Sequence, residues 1–281
     1  MYEKFFGFKE KPFNITPDPK FVYLSETHKE ALAHLRYAIR EGKLFSVITG
    51  EVGTGKTTLV HTLLNKMDEN VRTAYIFNPV MDPEDFINYI CEDLGLKSNG
   101  LKSRGQNLAL LHNFLLDCFA NNERVFLIID EAQSLDKQLL EEVRLLTNLE
   151  TSKNKLLHVI LLGQPELNKT LADTRFRALK QRITIRYNIA ALNFTDTREY
   201  ILYRLKKAGA RDLSMFDKGA IKTIYKYSKG IPRVINIVCD NALLTGFSQE
   251  QNRIGKAIIK EVIKDLEGSG TNLKRRWLSL K

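Results

Sequence analysis

The chain has 281 residues, of which 43% are hydrophobic, and this length suits one large or two modest domains with a packed core. It contains no run of about 18 apolar residues, and its first residues lack the basic-then-apolar layout of a signal peptide, which argues against a membrane span and against secretion. The three cysteines are widely spaced in apolar segments. They indicate buried thiols in a reducing cytosol rather than disulfides or a metal site.

The net charge of +10 is unevenly distributed along the chain. Residues 1–150 contain 17 Lys and Arg against 22 Asp and Glu, a net of −5, whereas residues 151–281 contain 26 against 11, a net of +15. This asymmetry favours an anionic partner for the second half, such as nucleic acid, anionic lipid headgroups or an acidic neighbouring subunit. A solvated basic surface without a partner explains the same charge.

The chain opens with residues 1–24, which predict an irregular arm rich in aromatic residues. Ser25 can cap a helix that runs to about Glu41, where Gly42 ends it. The pattern then alternates strands with helices, as in a parallel, three-layer α/β sheet. The predicted strands are 44–49, 73–78, 125–130, 156–162 and 183–188, the helices between them are 56–67, 83–94, 106–121 and 136–150, and 97–105 is a loop.

The first strand is followed by a segment that fits G-x-x-x-x-G-K-[ST] without a mismatch. A strand, a glycine loop and a helix present backbone N–H groups and a helix N-terminus to phosphates, which predicts nucleotide binding. Lys56 can reach the β- and γ-phosphate oxygens, and Thr57 can ligate Mg²⁺. The predicted phosphate-binding residues are Gly50, Glu51, Val52, Gly53, Thr54, Gly55, Lys56, Thr57 and Thr58.

A second motif, Asp130-Glu131, follows the apolar run 125–129. Acids at the carboxyl end of a buried parallel strand lie where open α/β sheets bind ligands. Asp130 is predicted to hold Mg²⁺ through water, and Glu131 to orient or deprotonate the attacking water. Together the two motifs predict an ATPase that uses ATP and Mg²⁺.

After residue 193 the strand signal fades, and helices are predicted at 195–208, 217–228, 232–247 and 255–266. The last residues include the basic run Lys274, Arg275 and Arg276. We therefore expect an arm at 1–24, an α/β nucleotide-binding core at 25–193, a helical lid at 194–267 and a basic tail at 268–281.

An α/β nucleotide core followed by a helical bundle resembles the AAA+ ATPases. This resemblance implies that Gln164 is the sensor 1 residue, which positions the hydrolytic water, and that Arg233 is the sensor 2 residue, which contacts the γ-phosphate from the lid. It also implies an arginine finger supplied to a neighbouring subunit, with Arg182 as the best match and Arg175 next. Tyr23 to His28 corresponds to the segment over the adenine, although aromatic residues there also suit a role that only fixes the arm to the protein.

More specific motifs occur in a fixed order and are similar to those of the ExeA (GspA) family of AAA+ ATPases. They are the opening 5–19, the glycine loop, Asp130-Glu131-Ala132-Gln133, Gly163-Gln164-Pro165-Glu166-Leu167 and Gln181-Arg182-Ile183. The resemblance covers residues 1 to about 266. It implies a role for ATP in assembling or placing the secretin channel of type II secretion or a related pilus system, with an ExeB-like membrane partner and a homo-oligomeric state.

One departure from that family concerns the end of the chain. ExeA continues into a transmembrane segment and a peptidoglycan-binding domain, whereas this sequence ends at Lys281. The tail at 274–276 resembles the cytoplasmic flank of a membrane span. We expect either the cytoplasmic part of a membrane-anchored protein or a shorter paralogue, in the cytoplasm or at the inner-membrane face, with anionic lipid as a candidate contact of 274–276.

A second reading is a DNA-transposition or DNA-loading ATPase similar to TniB, TnsC or MuB. These proteins share the AAA+ core and this size. The basic lid would then follow the phosphates of duplex DNA, and binding would weaken steeply with salt. The lid residues proposed for that role are Arg204, Lys206, Lys207, Arg211, Lys222, Lys226 and Lys229.

Overall fold

A computed structural model describes residues 1–16, 18–65, 67, 70–96, 103–152 and 154–268. Of the predicted segments, the basic tail with Lys274, Arg275 and Arg276 lies outside the described residues, and so does most of the predicted loop at 97–105. Across the described ranges, no helix is long and apolar enough to cross a membrane.

The chain forms two compact units, which are described separately. The first unit consists of Met1–Ser25, Gly53–Gly55 and Ala191–Lys281, and the second, here called the core unit, consists of Glu26–Val52 and Lys56–Ala190. In chain order the helices and strands are α1 (Tyr2–Phe6), α2 (Glu26–Arg40), β1 (Phe45–Gly50), α3 (Lys56–Leu64), β2 (Val71–Ile76), α4 (Pro83–Asp93), α5 (Arg104–Ala120), β3 (Arg124–Ile129), α6 (Lys137–Leu146), β4 (Leu157–Gly163), α7 (Glu166–Ala172), α8 (Arg177–Arg182), β5 (Ile185–Ile189), α9 (Phe194–Lys207), α10 (Lys218–Ser228), α11 (Pro232–Ser248) and α12 (Lys256–Leu266).

The core unit is built on a five-stranded parallel sheet of order β2-β3-β4-β1-β5. Every residue of β1 and β4 is buried, as expected of strands that are covered on both faces. Both strands are mainly apolar, and their polar residues Ser46, Thr49 and His158 are buried as well. The predicted three-layer, parallel-sheet P-loop fold is confirmed.

Strand register brings the functional segments to one edge of this sheet. Thr49 of β1 pairs with Gly163 of β4, and Ile76 of β2 pairs with Ile129 of β3. Because all strands are parallel, the residues that follow β1, β3 and β4 emerge at the same carboxyl edge. These segments are the glycine loop, Asp130-Glu131 and Gln164.

Several element boundaries differ from the sequence-based expectation. The arm is not wholly irregular, since α1 occupies Tyr2–Phe6 and a 3₁₀ turn occupies Pro19–Phe21. Ser103 caps α5 inside the predicted loop, with a capping box to Gln106. Helices α7 and α8 were also not predicted. Such short helices have too few turns for a clear periodicity, and tertiary packing stabilises them instead.

In the first unit, the N-terminal arm packs against the helices of the predicted lid. Arg204 on α9 is only 6% exposed, and its guanidinium donates to the carbonyls of Pro12 at 2.5 Å and Asn14 at 3.2 Å. It also lies 4.8 Å from the ring centre of Phe21. A buried charge needs such partners, so Arg204 fastens the arm to α9. The proposed contact of Arg204 with DNA phosphates is therefore wrong.

The core unit also contains a buried histidine. His158 of β4 is 6% exposed, its ring stacks on Phe126 at 4.8 Å, and its Nδ1 has no hydrogen-bond partner among the residues that the structure describes. Burial lowers the pKa of His158 to about 4. The imidazole is therefore neutral in the folded protein, whereas the unfolded chain takes up a proton at an ordinary histidine pKa.

We expect His158 to make the protein acid-sensitive. As the pH falls from about 6.5 towards 4, only the unfolded state gains this proton, so up to about 3 kcal/mol of unfolding free energy is lost. Urea unfolding on both sides of this pH range should reveal a smaller loss for His158→Phe than for the wild type. The same substitution at His34, which is exposed on α2, is the control. Equal losses in the wild type and His158→Phe would contradict the assignment.

Candidate nucleotide-binding site

The glycine loop joins the end of β1 to the start of α3. Gly53 and Gly55 adopt φ angles of +80° and +97°, which residues with a Cβ atom rarely adopt. Thr54 between them is buried, whereas Glu51 and Val52 are exposed. The loop therefore turns as the sequence motif predicts and leads directly into the first turn of a helix, where N–H groups lack intrahelical acceptors.

Lys56 is the first residue of α3 and is only 6% exposed. Its Nζ donates to the carbonyl oxygens of Gly50 at 2.8 Å and Glu51 at 3.1 Å. Burial lowers the pKa of Lys56, and the carboxylates of Glu131, Asp130 and Glu51 offset part of this effect. The ammonium group thus lies within the field of the acids that follow β3.

Asp130 is fully buried at the end of β3 and accepts three hydrogen bonds. Its Oδ2 accepts from the Thr57 hydroxyl at 2.6 Å and from the Tyr75 hydroxyl at 2.9 Å, and its Oδ1 accepts from the backbone N–H of Glu131 at 2.8 Å. The two residues predicted to hold Mg²⁺, Thr57 and Asp130, are therefore in direct contact although they lie 73 positions apart.

These atoms fit a magnesium site. Mg²⁺ prefers oxygen ligands and is commonly held by one or two protein oxygens together with substrate phosphates and water. The hydroxyl of Thr57 and the carboxylate of Asp130 are such ligands. Within the described residues, there is no group of three or more His, Cys, Asp or Glu side chains that could hold a metal ion.

Glu131 follows Asp130 and has a left-handed backbone with φ +49°. Its Oε2 accepts from the amide Nε2 of Gln133 at 2.5 Å and from Nε2 of Gln164 at 3.4 Å. The amide oxygen of Gln133 accepts from the backbone N–H of Gln164 at 3.0 Å. The predicted general base and the predicted sensor 1 residue are thus neighbours, with Gln133 between them.

Tyr75 and Gln133 were not predicted as site residues. Burial, and then the charge of Asp130, raise the pKa of Tyr75 well above its usual range, so its hydroxyl remains a donor to that carboxylate. Nothing local in the sequence marks Tyr75, which lies in an ordinary strand. Gln133, in contrast, lies two residues after Glu131 in the motif that carried the family resemblance, and its polar amide was a usable signal.

The two candidate arginine fingers both have partners within the subunit. Arg182 donates to the carbonyl oxygen of Arg144 at 3.2 Å, to the Asn148 side chain at 2.6 Å and to the Thr147 hydroxyl. It therefore binds the C-terminal end of α6, where cations are favourable. Arg175 pairs with Asp173 through contacts of 2.5 to 3.2 Å.

The remaining predicted contacts are distributed over both units. Arg233 lies in the first turn of α11, and its backbone N–H donates to the carbonyl oxygen of Gly53, in the same unit, at 3.3 Å. In that unit Tyr23 packs its ring 5.7 Å from those of Tyr200 and Tyr203. In the core unit His28 is buried on α2, and Thr58 lies in the first turn of α3.

Comparison with known proteins agrees with this geometry. Residues 39–171 match the family described as AAA domain. The parallel sheet, the glycine loop and this match define the chain as an AAA-type P-loop protein. It is 44% identical over 257 residues to general secretion pathway protein A of Aeromonas hydrophila, a match that covers 90% of this chain and 46% of that protein. The predicted resemblance to the ExeA (GspA) family is confirmed, and the chain spans about half the length of this relative.

Solved structures support the same fold at low sequence identity. The ORC2 protein of Aeropyrum pernix, in ADPNP-ADP complexes, has a TM-score of 0.67 and 16% identity, over 94% of this chain and 74% of that one. Cdc6p of Pyrobaculum aerophilum has a TM-score of 0.68 and 18% identity, over 88% and 70%. The RuvB Holliday junction branch migration motor of Thermotoga maritima has a TM-score of 0.57 and 19% identity, over 86% and 69%.

Proposed function

We propose that this protein binds ATP with Mg²⁺, hydrolyses it, and acts as a motor or switch in assembling a secretion or pilus complex of the envelope. The observation that carries the proposal is the hydrogen bond between Thr57 and Asp130, with Glu131 next to it in the chain. This contact joins the phosphate-binding motif to the acids that the chemistry requires.

The proposed roles follow from position and chemistry. The loop N–H groups and the Lys56 ammonium bind the phosphates, and Thr57 and Asp130 hold the metal. Mg²⁺ held by these two residues would neutralise charge on the phosphate oxygens. Glu131 takes a proton from the attacking water, whose oxygen bonds to the γ-phosphorus as the bond to the ADP oxygen breaks. Gln164 orients the water, and Arg233 reports the γ-phosphate to the helices that follow it.

The role of a second subunit rests on the arginines. We propose a nucleotide-dependent homo-oligomer in which Arg182, or Arg175, stabilises charge on the neighbour's transferring phosphoryl group. Either arginine would first have to exchange its present partners, the end of α6 for Arg182 and Asp173 for Arg175. Tyr23 and His28 remain the candidates for contact with the adenine.

The cellular role rests on the relative, whose name concerns general secretion. We propose a location in the cytoplasm or at the cytoplasmic face of the inner membrane, with an ExeB-like or other envelope protein as partner. The basic residues 274–276 are a candidate contact for anionic lipid.

The direct test is phosphate release from ATP by purified protein, with and without Mg²⁺, over a range of protein concentrations. We expect release that requires Mg²⁺ and a specific activity that rises with concentration, because a finger in trans needs a neighbour. Protein that neither retains nor cleaves ATP at any concentration would end the proposal.

A second candidate function, binding of duplex DNA, is favoured by a row of exposed lysines. Lys218, Lys222 and Lys226 recur every four residues along α10, and Lys229 follows them. Side chains four residues apart share one face of a helix. This face is an electrostatic fit to a phosphate backbone, and the protein would then be a transposition or DNA-loading ATPase.

Filter binding with duplex DNA at two salt concentrations separates the two candidates. For a DNA-loading ATPase we expect tight, ATP-dependent binding to DNA. In the double variant Lys222→Glu/Lys226→Glu, the slope of log K against log salt concentration should become smaller in magnitude by about two. The control, Lys137→Glu/Lys180→Glu, makes the same charge change at exposed positions of the core unit. Weak DNA binding that ATP does not affect would contradict the DNA-loading function and leave secretion as the remaining candidate.

A further inference from the structure

The strongest feature that the proposed mechanism leaves unused is the side chain of Gln133. It lies in a 3₁₀ turn, Ala132–Ser134, directly after Glu131. The turn is fixed at its base, since Ala132 is fully buried and the backbone N–H of Ser134 donates to the carbonyl oxygen of Glu131 at 2.8 Å. Gln133 therefore projects from a rigid part of the backbone.

The amide of Gln133 has one orientation that satisfies both of its neighbours. The backbone N–H of Gln164 can only donate, so the atom 3.0 Å from it is the amide oxygen. The amide nitrogen then faces the Glu131 carboxylate, which accepts at 2.5 Å. In the reversed orientation the amide nitrogen would face the N–H of Gln164, and the amide oxygen would face the Glu131 carboxylate, so neither contact could be a hydrogen bond.

The end of β4 leaves little space around this amide. A Cβ atom added at Gly163 would lie 3.2 Å from the Gln133 amide oxygen and 2.8 Å from Cδ2 of Leu167. The amide is thus confined between the ends of β3 and β4, and its distance from Glu131 depends on both strands.

The two amides near Glu131 use the same carboxylate oxygen. Both Gln133 and Gln164 donate to Oε2. Across the described residues, Oε1 of Glu131 accepts no hydrogen bond. One oxygen is therefore held by the protein, and the other is available to a water molecule.

We propose that Gln133 is a positioning residue for ATP hydrolysis, which holds Oε2 of Glu131 so that Oε1 points at the attacking water. This inference rests on the proposed ATPase function. Gln133 does not touch the nucleotide in this scheme, so it affects the chemical step and not the binding of ATP.

The test is Gln133→Leu, which keeps the approximate side-chain size and removes both hydrogen bonds. We expect kcat to fall about 10- to 100-fold, because a misplaced catalytic group costs rates of this order, while KM and the affinity for ATP stay near wild type. The control is Gln138→Leu, the same change at an exposed position of α6, which should leave both constants unchanged.

A second experiment, in the Glu131→Gln variant, distinguishes a positioning role of Gln133 from a purely structural one. In Glu131→Gln, where the base is absent, Gln133→Leu should cause no further loss in single-turnover hydrolysis, because the two residues act as one unit. If Gln133→Leu fails to fold or to bind ATP, then Gln133→Met, with a flexible apolar side chain, takes its place in both experiments.

Each outcome bears on a different claim. An unchanged or increased kcat in the Gln133 variant, with an active wild type, overturns this inference alone, and an increase would mean that Gln133 restrains the base. An additional loss in the Glu131→Gln background would assign Gln133 another role. A wild type without hydrolysis overturns the ATPase function itself.

Discussion

Glu131→Gln should bind ATP as tightly as the wild type and release phosphate at less than about 1% of its rate, since general-base catalysis contributes about 10²- to 10⁴-fold. The amide keeps the size of the carboxylate and loses its basicity. The neighbouring Asp130, which contacts Thr57 and Tyr75, is unchanged, so the proposed metal ligands stay in place.

The measurement pairs equilibrium binding of a fluorescent ATP analogue with steady-state phosphate release. Glu84→Gln is the matched control, because it removes one carboxylate at an exposed position of α4. Normal turnover in Glu131→Gln would remove this residue from the mechanism. Loss of ATP binding would instead assign Glu131 a part in the nucleotide pocket.

Lys56→Ala should abolish ATP binding at concentrations that saturate the wild type, a loss of about 100-fold or more. In the proposed site, charge-assisted hydrogen bonds from this ammonium to phosphate would contribute about 3 kcal/mol, which corresponds to two orders of magnitude in affinity. Binding titrations in Mg²⁺ test this, with Lys137→Ala at an exposed position of α6 as the control. Wild-type affinity in Lys56→Ala would contradict the assignment of the loop.

A companion variant, Lys56→Met, concerns the stability of the protein without nucleotide, which we expect it to preserve or increase. Lys56 is buried, and burial lowers its pKa, so the charged form destabilises the folded state. A methionine fills the same space without charge, and we expect a thermal midpoint at or above that of the wild type. Added ATP should raise the midpoint of the wild type only.

The sequence was sufficient to predict where the contiguous motifs of the candidate site lie in the fold. The glycine loop and Asp130-Glu131 follow buried apolar strands, and these strands form the predicted parallel sheet. Strand order and register then bring Thr57 to Asp130 across 73 positions. The residue pattern of a single strand does not show which strands lie beside it. For this reason Tyr75 was not predicted, although it reaches the same carboxylate from β2.

The partners of Arg182 and Arg204, which lie outside these motifs, were not predicted. Arg204 was proposed to follow DNA phosphates because it belongs to a basic segment, yet it is buried against the arm. Arg182 likewise binds the end of α6. Arginine carries a long apolar stem and five donors, so tertiary packing decides whether it faces solvent or caps backbone carbonyls.

The bond between Arg204 and Pro12 joins residues that are 192 positions apart. During synthesis the arm emerges before the segments that its phenylalanines contact, and these segments are made only after the whole parallel sheet. The aromatic side chains of the arm are therefore expected to stay exposed through most of translation, because contacts of such long range form late. The N-terminal arm is thus expected to be among the last parts of the molecule to pack.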